Sequence, residues 1–196
     1  MKNLVANIIA IHNLATPDEV KHGMTWYHAA LCECRTIANK HDRPEQIVVG
    51  VVAALSPNNK WERNVTNADD LIAAFINGDH IESVKVSTYH TMKAKAWRIL
   101  EEMPDYAQAK VILNGQKITC FFENIMGENT CTIDGHARNI AYAERIGLTD
   151  DKTNIGKKEY ALLQDAYRHA ANQCDIKAYE MQAITWVAWR RIHNIK

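Results

Sequence analysis

A single acidic residue, Asp134, stands where a carboxylate could take part in chemistry. It follows a β-branched, polar segment (residues 130–133) and precedes an amphipathic helical pattern that opens with Gly135 and His136. Asp is a favoured N-cap, and the helix dipole keeps a carboxylate there ionised. Such a carboxylate can stabilise a developing cation or deprotonate a water molecule. An isolated Asp before a helix is more often a cap and nothing more, so both interpretations stay open.

The elements that must position this carboxylate are predicted to be helices. Residues 118–126 form an apolar helix that follows the turn Asn114-Gly115 and ends at Gly127. Residues 45–55 are almost wholly apolar, so periodicity alone allows a buried strand or a buried helix. Because no second candidate strand lies nearby, we predict a helix there.

Amphipathic patterns elsewhere predict helices throughout the rest of the chain. They cover residues 1–14, 26–40, 61–75, 91–103, 158–172 and 179–193, with a helix start at Thr16-Pro17. The chain is therefore predicted to be all-α. Lys93, Lys95 and Arg98 are predicted on the exposed side of the helix at 91–103, either as a local basic cluster or as a solvated face.

Composition favours a cytoplasmic protein without a membrane partner. No apolar run approaches the roughly 18 residues of a membrane span, and the N-terminus lacks a signal-peptide pattern. Five cysteines without paired spacing indicate a reducing compartment. His28 and Cys32 lie four residues apart, but no second pair accompanies them, so we predict no metal site. With 23 basic and 23 acidic residues, any affinity for DNA must come from a local basic face.

Three blocks of sequence, in order, resemble the helix-hairpin-helix DNA glycosylase superfamily, which includes endonuclease III and the mismatch adenine glycosylases. Residues 54–64 (ALSPNNKWERN) are similar to the start of the family's second barrel helix. Residues 93–96 (KAKA) are similar to a Lys-Ala block that follows. Residues 133–140 (IDGHARNI), with RIGL at 145–148, are similar to the family's Asp-bearing segment.

The resemblance implies a two-lobed fold. A central helical barrel with a helix-hairpin-helix motif would span residues 45–132, and a second lobe would combine residues 1–44 and 133–196. It also implies double-stranded DNA as the partner and a monomer that needs no cofactor. The four-cysteine loop of endonuclease III is missing, because only Cys174 follows Asp134, so no iron–sulfur cluster is expected.

The resemblance also implies roles for individual residues. Asp134 would stabilise the sugar cation and activate water. The turn containing Ser56 and Asn58 would face DNA, with Asn58 filling the gap left by a flipped base. Further expected DNA contacts are Asn114, Gly115, Lys117, His136 and Arg138. Two residues, Gln116 and Lys117, are candidates for the position at which some relatives carry a nucleophilic lysine. His136 could instead orient the helix start, and Arg138 could serve packing.

Three functions remain open at this point. The first is a glycosylase that releases a modified or mismatched base; with Gln116 at the lysine position it would not cut the strand. The second is a phage-type enzyme of the same fold that hypermodifies a thymine derivative. The third is a DNA- or protein-binding module without catalysis, which neutral charge and a hairpin with a single glycine allow.

Overall fold

All regular secondary structure in the described part of the chain is helical. The computed structural model describes residues 1–195, apart from the side chain of Lys152. The α-helices are α1 Lys2–Asn13, α2 Pro17–His41, α3 Glu45–Leu55, α4 Trp61–Ile76, α5 His90–Glu102, α6 Tyr106–Leu113, α7 Gln116–Ile125, α8 Gly135–Tyr142, α9 Lys157–Gln173 and α10 Ala178–Ile192. Short 3-10 turns lie at Ile81–Ser83 and Asp151–Thr153. The predicted all-α class is confirmed. None of the described helices is long and apolar enough to cross a bilayer.

The chain divides into two compact units. One consists of Met1–Tyr27 and Gly127–Lys196, so it contains α1, the start of α2 and α8 to α10. The other, His28–Met126, contains the rest of α2 and α3 to α7. We call them the terminal unit and the middle unit. The predicted lobe at residues 45–132 came from the resemblance and stays a prediction.

The start of α2 follows the predicted pattern. The Thr16 amide donates to Glu19 Oε2 at 2.8 Å, and the Glu19 amide donates to Thr16 Oγ1 at 3.3 Å. These reciprocal bonds satisfy two amides that the helix leaves without partners, and Pro17 at the first position has no amide to satisfy. Local side-chain chemistry therefore sets this helix end.

Helix α3 is the core of the middle unit. Every residue from Ile47 to Leu55 is buried, and α3 packs against α4, α5, α6 and α7. A helix that is covered on all sides needs apolar residues all round, so it shows no polar face. A Cβ added to Gly50 would lie 3.2 Å from Ile99 Cδ1, which shows how closely α5 approaches. The buried-helix interpretation is confirmed, and the strand is excluded.

The predicted exposed basic side of α5 is wrong. Lys93 is buried, and its amine donates to the Val84 carbonyl at 2.7 Å. The partly buried Lys95 amine donates to the Leu113 carbonyl, and burial lowers its pKa. Long lysine side chains can bury their stems while the amine reaches a carbonyl, and the sequence does not show which carbonyl is near. Arg98 is exposed, but it pairs with Glu102 at 2.6 Å.

Candidate functional site

The segment that leads into Asp134 is held by hydrogen bonds from α9 and the start of α10. The Ile133 amide donates to the Tyr160 hydroxyl at 3.0 Å, and Gln164 Nε2 donates to the Cys131 carbonyl at 2.9 Å. One residue earlier than this stretch, Asn129 Oδ1 accepts from the Ala178 amide at 3.0 Å. In a sheet, a neighbouring strand would satisfy the backbone groups of such a segment. Here side chains satisfy them, since buried backbone groups need hydrogen-bond partners. The position of Asp134 is therefore set from several sides.

Asp134 caps α8, as predicted. Its backbone is extended, and its Oδ1 accepts from the Ala137 amide at 2.8 Å. Among the described residues, no hydrogen-bond donor contacts Oδ2, and the side chain is partly exposed. The carboxylate is thus fixed through one oxygen, while the other is available to a ligand.

A neutral phenol lies beneath this helix start. Tyr167 is fully buried, and its hydroxyl donates to the Ala137 carbonyl at 3.2 Å. Burial raises the pKa of Tyr167 well above its usual value, and the charge of Asp134 raises it further. The Tyr167 hydroxyl therefore stays protonated at neutral pH, and its hydrogen bond to the Ala137 carbonyl stabilises the first turn of α8.

The loop after α8 packs over its first residue. A Cβ added to Gly135 would lie 2.6 Å from Leu148 Cδ2 and 3.6 Å from Thr153 Cβ. Thr153 Oγ1 lies within hydrogen-bond distance of two carbonyl oxygens of this loop, Asp150 at 2.6 Å and Leu148 at 3.0 Å, so the loop closes on itself. The glycine thus allows residues 148–153 to lie close to the Asp134 cap.

His136 faces α10 rather than lying alone. Its ring packs edge-on against the Trp186 ring, with 6.3 Å between the ring centres. The Arg190 guanidinium carbon lies over the same indole, 4.5 Å from the ring centre. His136 Nδ1 is buried without a hydrogen-bond partner in the described part of the chain. Trp186 is half-buried, and both His136 and Arg190 contact its ring.

Arg138 is buried in an ion-pair cluster. Its Nη1 donates to Glu144 Oε2 at 3.0 Å, and its guanidinium lies over the Tyr142 ring at 4.6 Å. Its Nε lies 3.2 Å from Glu159 Oε1, an ion pair by distance that is too poorly aligned to be a hydrogen bond. Two carboxylates already match its charge. Of the two roles left open, packing fits these contacts better than a phosphate contact.

The predicted hairpin joins two helices through two residues. Asn114 is left-handed (φ 41°), whereas Gly115 is extended (φ −165°) and is the N-cap of α7. Gln116 and Lys117 are exposed in the first turn of α7. The preceding helix, α6, was missed by sequence reasoning. Its signal was a capping box, in which Asp105 and Gln108 bond each other's backbone amides at 2.8 and 3.2 Å.

The turn at 56–59 is joined to the segment before α5. Asn58 is exposed and left-handed (φ 56°), and its side-chain amide donates to the Tyr89 hydroxyl. Thr88 Oγ1 donates to the Pro57 carbonyl at 2.7 Å, and Ser56 Oγ to the Ala53 carbonyl at 2.9 Å. Tyr89 is 56% exposed and was not among the predicted site residues. No local signal marks it, because its partner lies far away in the sequence.

The candidate residues are thus divided between the two units. Asp134, His136 and Arg138 belong to the terminal unit, and the middle unit holds Ser56, Asn58, Asn114, Gly115, Gln116 and Lys117. Cys32 Sγ and His28 Nδ1 lie 3.9 Å apart in α2. No group of three or more His, Cys, Asp or Glu side chains in the described residues could hold a metal ion.

Comparison with known protein families shows which family this chain belongs to. The sequence model of a family of unknown function, DUF7178, matches residues 1–193. The chain belongs to this family. No curated protein and no solved structure matches the chain. The geometry around Asp134 is therefore the main indication of what this DUF7178 member does.

Proposed function

We propose that this protein is a DNA N-glycosylase-like enzyme with the two-lobed helix-hairpin-helix fold. It would release a modified or mismatched base without cutting the strand. One observation carries the proposal: the Asp134 carboxylate is held at the start of α8 through Oδ1, while Oδ2 has no donor among the described residues and the side chain is partly exposed.

The chemistry assigned to Asp134 is hydrolysis of one bond. The C1′–N bond breaks, the electron pair leaves with the base, and positive charge develops on the sugar. The fixed carboxylate stabilises this cation electrostatically and accepts a proton from the water that attacks C1′. The departing base takes up a proton from solvent, so one water molecule is consumed and the products are a free base and an abasic site.

The hairpin at Asn114 and Gly115 is the proposed binding site for a phosphate of the DNA strand. Gly115 caps α7 without a side chain, so the first amides of the helix can approach a phosphate closely. The positive end of the α7 dipole favours the same anion. Asn114, in the left-handed conformation, reverses the chain between α6 and α7.

The exposed pair of Asn58 and Tyr89 is the proposed filler of the gap in the duplex. Pulling a base out of the stack costs a few kcal/mol, and side chains that occupy its place recover part of that cost. The hydrogen bond between the two side chains holds Asn58 in position before DNA arrives.

The deciding experiment measures base release by the wild-type protein, Asp134→Asn and Asp134→Ala. The substrates are duplexes carrying uracil, oxidised, alkylated, mismatched or hypermodified bases, and freed base is detected by mass spectrometry. Asn caps a helix about as well as Asp, so Asp134→Asn should keep its stability but lose roughly a hundredfold to a thousandfold in rate. Asp134→Ala should lose the rate and also about 1 kcal/mol of stability.

The same assay separates the proposed roles of Lys117 and Gln116. Strand breaks that appear only after alkali indicate base release without a lysine nucleophile, which agrees with Gln116 at that position. Breaks without alkali that disappear in Lys117→Gln would assign the nucleophile to Lys117 instead. If every duplex is bound but none loses a base, or if Asp134→Asn releases base at the wild-type rate, the glycosylase proposal is refuted.

A further inference from the structure

Arg190 is held in place by an aromatic ring. Its guanidinium lies over the Trp186 ring, 4.5 Å from the ring centre. Both residues lie on α10, one turn apart, so the helix keeps the pair together. A guanidinium stacked on an indole retains the N–H groups at its edge, and two of them can donate to two oxygens of a phosphate or carboxylate.

The ion pairs of the described residues do not include the Arg190 guanidinium. Among the described residues, no carboxylate lies within ion-pair distance of Arg190. The adjacent Arg191 differs, because it pairs with Glu19 at 2.7 Å and donates to the Leu14 carbonyl at 2.8 Å. Arg191 therefore stabilises the terminal unit, whereas no carboxylate of residues 1–195 pairs with Arg190. Its position near the end of α10 also suits the helix dipole, but the dipole alone does not require stacking on Trp186.

The stacked pair connects to the start of α8 through His136. The His136 ring meets the edge of Trp186 at 6.3 Å, and its Nδ1 is buried without a partner among the described residues. The edge contact with Trp186 therefore joins the stacked pair to the first turn of α8. Asp134 lies two residues earlier, as the N-cap of the same helix, so the carboxylate and the stacked pair both belong to the region around the start of α8.

We infer that the face formed by His136, Trp186 and Arg190 binds a phosphate of the DNA strand, next to the nucleotide on which Asp134 acts. This rests on the proposed function and adds the residues that hold the strand in the terminal unit. Arg190 supplies charge-assisted hydrogen bonds to the phosphate oxygens, and Trp186 orients it. Because Asp134 is an anion, the phosphate lies on the Arg190 side and the sugar on the Asp134 side.

The test is DNA binding across a range of salt concentrations. The probe is a fluorescently labelled duplex with an abasic analogue, and the signal is anisotropy. Arg190→Gln should weaken binding by about tenfold at low salt, and the slope of log affinity against log salt should fall by about 1. Arg190→Lys keeps the charge but lacks the planar fork, so it should retain the slope with an intermediate affinity.

Arg168→Gln is the matched control. Arg168 lies in α9 of the terminal unit, is exposed and pairs with Asp165, so its loss removes the same charge from a different helix. An equal loss for Arg168→Gln and Arg190→Gln, or unchanged affinity and slope for Arg190→Gln, would overturn the inference. Displacement of the duplex by an equimolar deoxynucleoside monophosphate would also overturn it, because the ligand would then be a free nucleotide.

The outcomes separate this inference from the proposed function. Base release that depends on Asp134, with DNA affinity independent of Arg190, refutes the phosphate site alone. Arg190-dependent binding without release of any base refutes the glycosylase and leaves the phosphate site standing. A wild-type protein that binds no duplex refutes both.

Discussion

Two glycines of the terminal unit are expected to differ in how much stability the same added methyl group costs. A Cβ on Gly23, in α2, would lie 2.5 Å from Ile184 Cγ1 and 2.6 Å from both the Cα and the backbone nitrogen of Ile184. A Cβ on Gly135 would lie 2.6 Å from Leu148 Cδ2. The closest distances are nearly equal, but Ile184 presents backbone inside a buried helix, whereas Leu148 presents the end of a side chain that is 53% exposed.

The expected change in the free energy of unfolding depends on which neighbouring atoms have to move. Ala is favoured over Gly inside a helix by about 1 kcal/mol. Gly23→Ala can relieve its overlap only by separating α2 from α10, and such overpacking costs about 1–3 kcal/mol, here at the upper end. The net loss is about 2 kcal/mol, or roughly 4–8 °C in Tm for a chain of this size. At Gly135, rotation of Leu148 costs about 0.5–1 kcal/mol. Because Gly135 is the first residue of α8, the preference of the helix for Ala offsets only part of this cost.

Thermal unfolding followed by circular dichroism measures both variants, and urea unfolding at unchanged m value provides the free energies. Gly23→Ala should lose stability, and Gly135→Ala should stay within about 0.5 kcal/mol of the parent. Equal losses in the two variants would refute the distinction between backbone and side-chain neighbours. A Gly23→Ala protein that melts like the parent would refute the close approach of α2 and α10.

Two further predictions concern charged side chains of the middle unit. Lys93→Ala should lower the free energy of unfolding by about 1–3 kcal/mol, because it removes the buried amine that donates to the Val84 carbonyl. Arg98 is the exposed counterpart on α5, and Arg98→Ala should leave the urea midpoint unchanged. Equal losses of stability in the two variants would contradict the assignment of Lys93 as buried. Burial alone would raise the pKa of Asp69, but hydrogen bonds from Lys40 and His41, both at 2.6 Å, hold it below its usual value. The stabilisation from this lowered pKa is present above the unfolded-state pKa of about 3.9 and is lost as pH falls through the folded value. Asp69→Asn should therefore be less stable than the parent at neutral pH, with a gap in Tm that closes as pH falls below about 4; a gap that stays constant would show that Asp69 acts through its shape.

Much of the helical framework could be predicted from the sequence, because helix ends depend on contacts within three or four residues. The start at Thr16-Pro17 and the cap at Asp134 are of this kind. Helix α6 was missed although its capping box was present at Asp105 and Gln108. The apolar run of α3 stayed ambiguous, because a segment that is buried on every side has no polar face to reveal its period.

Tertiary packing alone decided which partner each polar side chain has. Lys93 reads as part of a basic face in the sequence, yet it is buried against the Val84 carbonyl. Asn58 meets Tyr89 and His136 meets Trp186 because loops and helices distant in the sequence pack together. The sequence by itself thus determined the all-α class and the capped carboxylate of Asp134, which depend on local hydrogen bonds and periodicity. The surroundings of that carboxylate depend on how α8, α9 and α10 pack, and no local pattern encodes them.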